Sequence, residues 1–112
     1  MSKKKQPEVT EGSGNVFADL GLPSPVEAQA KARLASRILD IVEQRGLTQT
    51  ETAMLLGIDQ PKVSKLLRGQ ISGFSADRLL RFLTALDQDV EIVIRPKPIS
   101  HLHGQISVIA VD

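Results

Sequence analysis

From Gln60 to Lys65 the order Gln-Pro-Lys-Val-Ser-Lys assembles one side-chain amide, two ammonium groups, a short hydroxyl and a flat apolar ring within two helical turns. Successive helical residues lie about 100° apart, so Val63, Leu66 and Leu67 share one face while Pro61 and Lys65 point the opposite way. That set of groups matches what a helix needs to read base edges. Gln60 can bond adenine bidentately, Lys62 and Lys65 can donate to guanine acceptors, and Pro61 can press on a thymine methyl. Ser64 is short enough to let the backbone approach, and Lys65, opposite the apolar stripe, is the first choice for a base contact. Lysines across from an apolar stripe are most often a solvated face. The surrounding spacing is what favours the sharper reading.

The elements that must position this face are legible on either side of it. Thr48 and Glu51 form a capping box that opens a helix running to Leu56. Ala53 is small where two helices must approach, and Gly57 supplies the bend between them. Asp59 or Gln60 caps the helix that follows, and Gly69 closes it. Gln49 and Thr48, beside the free amides of the supporting helix, are placed to hold a phosphate, and Arg68 and Arg78 are further backbone candidates. Before this pair, Ser24-Pro25-Val26-Glu27 starts a long helix that extends to about Arg45, with Leu34, Ile38, Ile41 and Val42 on one stripe. After it, Ile71 and Phe74 turn inward from a loop, and Ser75 caps a helix to about Asp87. The apolar residues Leu79, Leu80, Phe82, Leu83 and Leu86 are too many for a single narrow stripe. The expectation is that a partner covers part of that surface.

Beyond Asp87 the period changes from helix to strand. Val90, Ile92 and Ile94 alternate with Glu91, Val93 and Arg95, and Gln105–Val111 forms a second candidate strand after the interruption of Pro96 and Pro98. A two-stranded hairpin is marginal alone, so these strands are expected to pack on the helices or pair across a dimer. Leu83, Leu86, Val90, Ile92 and Ile94 are therefore the candidate dimer interface. The fold class that results is mainly α: a small helical bundle with a helix-turn-helix, followed by one or two short C-terminal β-strands. Its expected divisions are a disordered lead-in over residues 1–14, a DNA-binding domain with closing strand over 15–95, and a tail over 96–112. Within the domain, Asn15 caps a short turn that docks Val16, Phe17 and Leu20.

Composition narrows the remaining classes. A chain of 112 residues with 41% hydrophobic content builds a modest core and no deep enclosed active site. Cysteine is absent, which removes disulfides, thiolate catalysis and cysteine-based zinc sites and suits a cytoplasmic location. No apolar run reaches the roughly 20 residues of a membrane span. Net charge is only +1, yet from Asp59 to Arg81 five cations (Lys62, Lys65, Arg68, Arg78 and Arg81) face two anions, Asp59 and Asp77. His101 and His103 form the only histidine pair, without an acidic neighbour to complete a metal site, so no metal, cofactor or catalytic residue is expected. The protein reads as a non-enzyme.

Gln49–Arg68 followed by Gly69 and a helix from Ser75 resembles the helix-turn-helix of Cro and the phage repressors, the XRE family. The stretch Asn15-Val-Phe-Ala-Asp-Leu-Gly and the closing Asp89-Val-Glu-Ile-Val-Ile-Arg resemble the HigA-type antitoxin branch. The resemblance implies a bundle of about five helices ending in a strand and a homodimer on an inverted-repeat operator in double-stranded DNA. It also implies repression of the protein's own operon and masking of a RelE/HigB-like ribonuclease toxin. By it, Gln49 matches the phosphate-binding glutamine, and Gln60, Pro61, Lys62 and Lys65 match the base-reading positions. Thr52 departs from the leucine common at its place and puts core packing there in question. A competing reading makes the chain chiefly a protein-binding module that sequesters such a toxin.

Overall fold

The computed structural model describes residues 24–111, which fold as four helices in a row: α1 (Ser24–Gln44), α2 (Gln49–Leu56), α3 (Gln60–Leu67) and α4 (Ala76–Ala85). The expectations for residues 1–14 and for Asn15, Val16, Phe17 and Leu20 lie outside these described residues. α1 is long because its apolar residues recur at helical spacing, and Ala30, Leu34, Ala35, Ile38, Ile41 and Val42 are all buried. It is the backbone of the core. α4 lies chiefly against α1, α3 touches both α1 and α2, and α2 also reaches α4.

Helix ends follow the local chemistry of the sequence closely. Thr48 accepts from the Glu51 amide at 3.0 Å while the Glu51 carboxylate accepts from the Thr48 amide at 2.8 Å, so the box closes in both directions. At the other end of α2, Gly57 sits at φ 71° and the Ile58 amide reaches back to the Ala53 carbonyl at 3.1 Å. A residue with a Cβ is strained in that left-handed region, which is why glycine turns the chain here. Of the two candidate caps for α3, Asp59 does the capping, its carboxylate accepting from the Lys62 amide at 3.0 Å. Pro61 then falls inside the first turn, where its missing N–H costs nothing.

α4 ends differently. Asp87 takes the left-handed position at φ 67°, and the Gln88 amide bonds the Leu83 carbonyl at 3.0 Å. Arg45 from the end of α1 donates to the Leu86 carbonyl at 3.2 Å and pairs with the Asp87 carboxylate at 3.6 Å. One guanidinium thus ties together the C-terminal ends of the two long helices, where a cation also suits the helix dipoles.

Two expectations are corrected by the core. Leu79 and Leu86 have no exposed surface and Phe82 and Leu83 are only 5% exposed, with Leu80 packed against the same cluster. The chain itself covers the broad apolar face of α4, because α1 meets it from one side and Phe74 from another, in edge contact with Phe82 at 5.8 Å. Leu83 and Leu86 are core residues and cannot form a dimer interface. The second correction concerns Val90–Arg95 and Gln105–Val111, where no strand occurs among the described residues. A strand needs a neighbour to complete its ladder, and Pro96 and Pro98 withhold two of the amides a fold-back would use. Ile92 and Ile94 are instead exposed, as are Ile99, Leu102 and Val111, and Val108 alone in the tail packs on the core.

Thr52 settles a point the sequence leaves open. It is fully buried, and its hydroxyl donates to the Thr48 carbonyl at 2.8 Å. That carbonyl also accepts from the Thr52 amide at 2.9 Å, so it would keep a partner if the hydroxyl were lost. Removing the hydroxyl therefore leaves no buried group unsatisfied and forfeits only the modest net contribution of one hydrogen bond. Thr52→Val is accordingly expected to shift the unfolding free energy by less than about 1 kcal/mol, measured by urea titration. A loss of several kcal/mol would show that the hydroxyl holds more than this one bond.

Candidate nucleic-acid interface

α3 presents two contrasting faces. Val63 and Leu66 have at most 1% exposure and anchor the helix, whereas Gln60, Pro61, Lys62, Lys65 and Arg68 are exposed and Ser64 is half-buried. The anchor matters because α3 has only eight residues, too few to hold itself in water without tertiary packing. Its orientation is set by Val63 and Leu66, and the polar groups inherit that orientation.

The supporting helix brings a second set of groups to the same end. Gln49 is the first residue of α2, and the capping box satisfies the Glu51 amide while leaving those of Gln49 and Thr50 uncovered. Thr48 spends its hydroxyl oxygen as the cap acceptor, and its own proton is what it can offer a phosphate. The two helix starts meet at a direct bond, with Gln60 Nε2 donating to Thr50 Oγ1 at 3.0 Å. A further bond runs along α3, where the Arg68 guanidinium donates to the Ser64 hydroxyl.

Charge around the helix is one-sided for a structural reason. Asp59 is engaged as the cap of α3, and Asp77 is held by Arg81 at 3.1 Å on the far helix. Lys62 and Lys65 project with neither anion paired to them. They border a recess of ≈ 260 Å³ together with Gln70, Ser72, Gly73 and Phe74. A cationic helix flanked by free amides is suited to a polyanion.

Comparison with known proteins bears directly on this arrangement. A family model described as a helix-turn-helix domain matches residues 16–95. A solved structure whose name assigns it to the XRE family of transcriptional regulators is 48% identical, with a TM-score of 0.76, covering 80% of this chain and 100% of its own. The chain belongs to the XRE-type helix-turn-helix family. No curated protein matches it.

In this XRE-type protein α2 and α3 are the helix-turn-helix pair, and the residues expected at its reading face gather there. Gln60, Pro61, Lys62, Ser64 and Lys65 all lie on α3, with Gln49 and Thr48 at the adjoining start of α2. Arg78 is set apart from them. Its guanidinium lies over the rings of Phe74 at 5.3 Å and Phe82 at 5.4 Å, so its face is used in stacking and only its N–H edge remains for a phosphate. Arg78 also lines a shallow hollow with Asp59 and Lys62.

The place of Thr50 against Gln60 has no marker in the residue types alone. Threonine inside a helix start ordinarily marks a cap, and Thr48 already fills that role. The signal available was positional: Thr50 is the second residue of α2 and Gln60 the first of α3, and a tight turn brings such positions together. Gln70 and Ser72 belong to a loop whose place beside Lys62 and Lys65 has no signal in the sequence.

Proposed function

We propose that this XRE-type protein is a sequence-specific DNA-binding transcriptional regulator that acts as a homodimer on an inverted-repeat operator and represses its own operon. The observation that carries this is α3 itself, buried along Val63 and Leu66 and exposed along Gln60, Pro61, Lys62 and Lys65. Base contacts are assigned to Gln60, Pro61, Lys62, Ser64 and Lys65, and phosphate contacts to Gln49, Thr48, Arg68 and the edge of Arg78. With Leu83 and Leu86 inside the core, the exposed Val90, Ile92 and Ile94 are the surface that supports pairing of two copies. The neighbour named as a transcriptional regulator supports the regulatory role. Absence of a helix long and apolar enough to cross a membrane, among the described residues, accords with work on cytoplasmic DNA.

Titration of a labelled duplex from the region upstream of its own gene tests this reading against a shuffled duplex at one fixed salt concentration. The expected preference is about 10³-fold or more. Equal affinity for the two duplexes contradicts operator recognition.

The exposed apolar tail supports a second role beside the first. Ile99, Leu102 and Ile109 are at least 74% exposed, an unusual cost unless a protein partner covers them. A RelE/HigB-like ribonuclease toxin fits the resemblance to HigA-type antitoxins. Co-expression with the neighbouring open reading frame is expected to give an intact complex, and tail truncation to release it.

A further inference from the structure

We propose that residues 89–97 pair antiparallel, about Val93, with the same residues of a second copy, and that their charges make the chain select its own kind as partner. This rests on the reading of the protein as a homodimer, and it fixes the register and the residues that enforce it. Residues 89–97 are all exposed, and none of their backbone amides or carbonyls is hydrogen-bonded among the described residues. Such a stretch has a row of groups to offer another chain.

Alternation divides the stretch into two faces, Val90, Ile92, Ile94 and Pro96 on one and Asp89, Glu91, Val93, Arg95 and Lys97 on the other. Antiparallel copies keep apolar beside apolar only when even-numbered residues face even-numbered ones, because a slip by one residue turns every side chain over. Among the registers that remain, the one centred on Val93 sets Glu91 opposite the partner's Arg95 and Asp89 opposite the partner's Lys97, and the two-fold axis repeats both pairs. Every charge of the stretch then faces the opposite sign. Centred on Ile92, Glu91 would meet the partner's Val93, and Lys97 would fall opposite the partner's Asp87, a carboxylate that Arg45 already holds. Centred on Ile94, Arg95 would meet the partner's Val93 and Asp89 the partner's Ile99. Asp89, Glu91 and Arg95 have no ion pair among the described residues. Lys97 gives one N–H to the His101 carbonyl at 3.0 Å and keeps the others of its ammonium for the partner.

Proline placement agrees with the same ladder. With Val93 facing itself as a hydrogen-bonded pair, odd-numbered residues aim their amides and carbonyls at the partner strand and even-numbered ones aim theirs outward. Pro96 lacks its N–H on that outer side, where the absence costs the pair nothing and denies a third strand a bond. Exposure rises from 38% at Val90 to 76% at Ile92 and 91% at Ile94. The antiparallel arrangement lays Ile94 beside the partner's Ile92 and Pro96 beside the partner's Val90, so the most exposed end of one copy meets the least exposed end of the other. No strand forms in the single chain because the second copy is what completes it.

Sedimentation equilibrium of the full chain at one fixed salt concentration supplies the test. Glu91→Lys and Arg95→Glu each put two like-charged pairs into a homodimer, and each is expected to raise the dimer dissociation constant about tenfold or more. Mixed in equal amounts, the two variants should form a heterodimer of near wild-type affinity, because both of its pairs are again opposite in sign. The double Glu91→Lys, Arg95→Glu variant should regain its homodimer. The chain has no cysteine of its own, so Val93→Cys gives a second reading: it should oxidise to a covalent dimer with copper phenanthroline. Ile92→Cys should not, since its counterpart lies diagonally away and beyond disulfide reach. A dimer that tolerates both single charge changes, variants that fail to complement on mixing, or cross-linking through Ile92→Cys in place of Val93→Cys overturns the inference while the homodimer stands. A wild-type chain that stays monomeric at every concentration, or that engages the stretch only with the product of the neighbouring reading frame, removes the homodimer and the inference with it.

Discussion

Leu79→Ala is expected to lower the unfolding free energy by about 2–5 kcal/mol. Leu79 is completely buried and lies on α4, the helix that packs chiefly against α1. Truncation removes apolar surface from water-free surroundings and leaves a cavity that rigid neighbours fill only in part. Because α4 is held on one side by α1 and on another by Phe74 against Phe82, little collapse is open to it. Domains of this size have about 5–15 kcal/mol in total, so one methyl-bearing side chain accounts for a large share. The urea midpoint is expected to fall with an unchanged slope, in contrast to the small response of Thr52→Val. A change below about 1 kcal/mol would mean that α4 does not sit in the core as described.

The second large effect is on binding. Lys65→Ala is expected to cost about 1–3 kcal/mol per half-site and to loosen one base position. Lys65 projects from the face opposite Val63 and Leu66, is exposed, and has no ion-pair partner shown, so its ammonium pays little beyond its own hydration to meet a base. Arg68→Ala should behave differently. Its guanidinium is braced on Ser64, near the end of α3, where it can meet the backbone, and its loss should weaken all duplexes alike and reduce the salt slope. Affinities measured at several salt concentrations on matched and mismatched duplexes separate the two. An unchanged base preference in Lys65→Ala removes that residue from the reading set.

The residues that made the helices legible are those whose chemistry is local. The Thr48–Glu51 box, Gly57 and Pro61 act within a few positions of the chain, and the structure places them as their types require. What could not be read is whatever depends on distant partners. Leu83 and Leu86 looked surplus because a single stripe cannot show how broad a face α1 and Phe74 cover together. Val90–Arg95 has the alternation of a strand, but alternation says nothing of whether a neighbouring strand exists, and none does among the described residues. Asp87 at a positive φ was equally hidden, since aspartate is not the residue that ordinarily marks a left-handed helix end, and its partner Arg45 lies 42 positions earlier in the chain. For the candidate site, the face of α3 could be derived from period alone, whereas the bond from Gln60 to Thr50 needed the angle between two helices. Arg78 was legible as a cation and not as one stacked on two rings.

The central claim is that the outward face of α3 reads sequence and does so in pairs. Selection of bound duplexes from a random pool by the full chain, at near-physiological salt, tests it most directly. The account predicts enrichment of an inverted repeat whose half-sites are centred about one helical turn, ~34 Å, or a multiple of it apart, with adenine prominent in each half. Recovery of the pool without enrichment, bound only as strongly as salt allows, would contradict it.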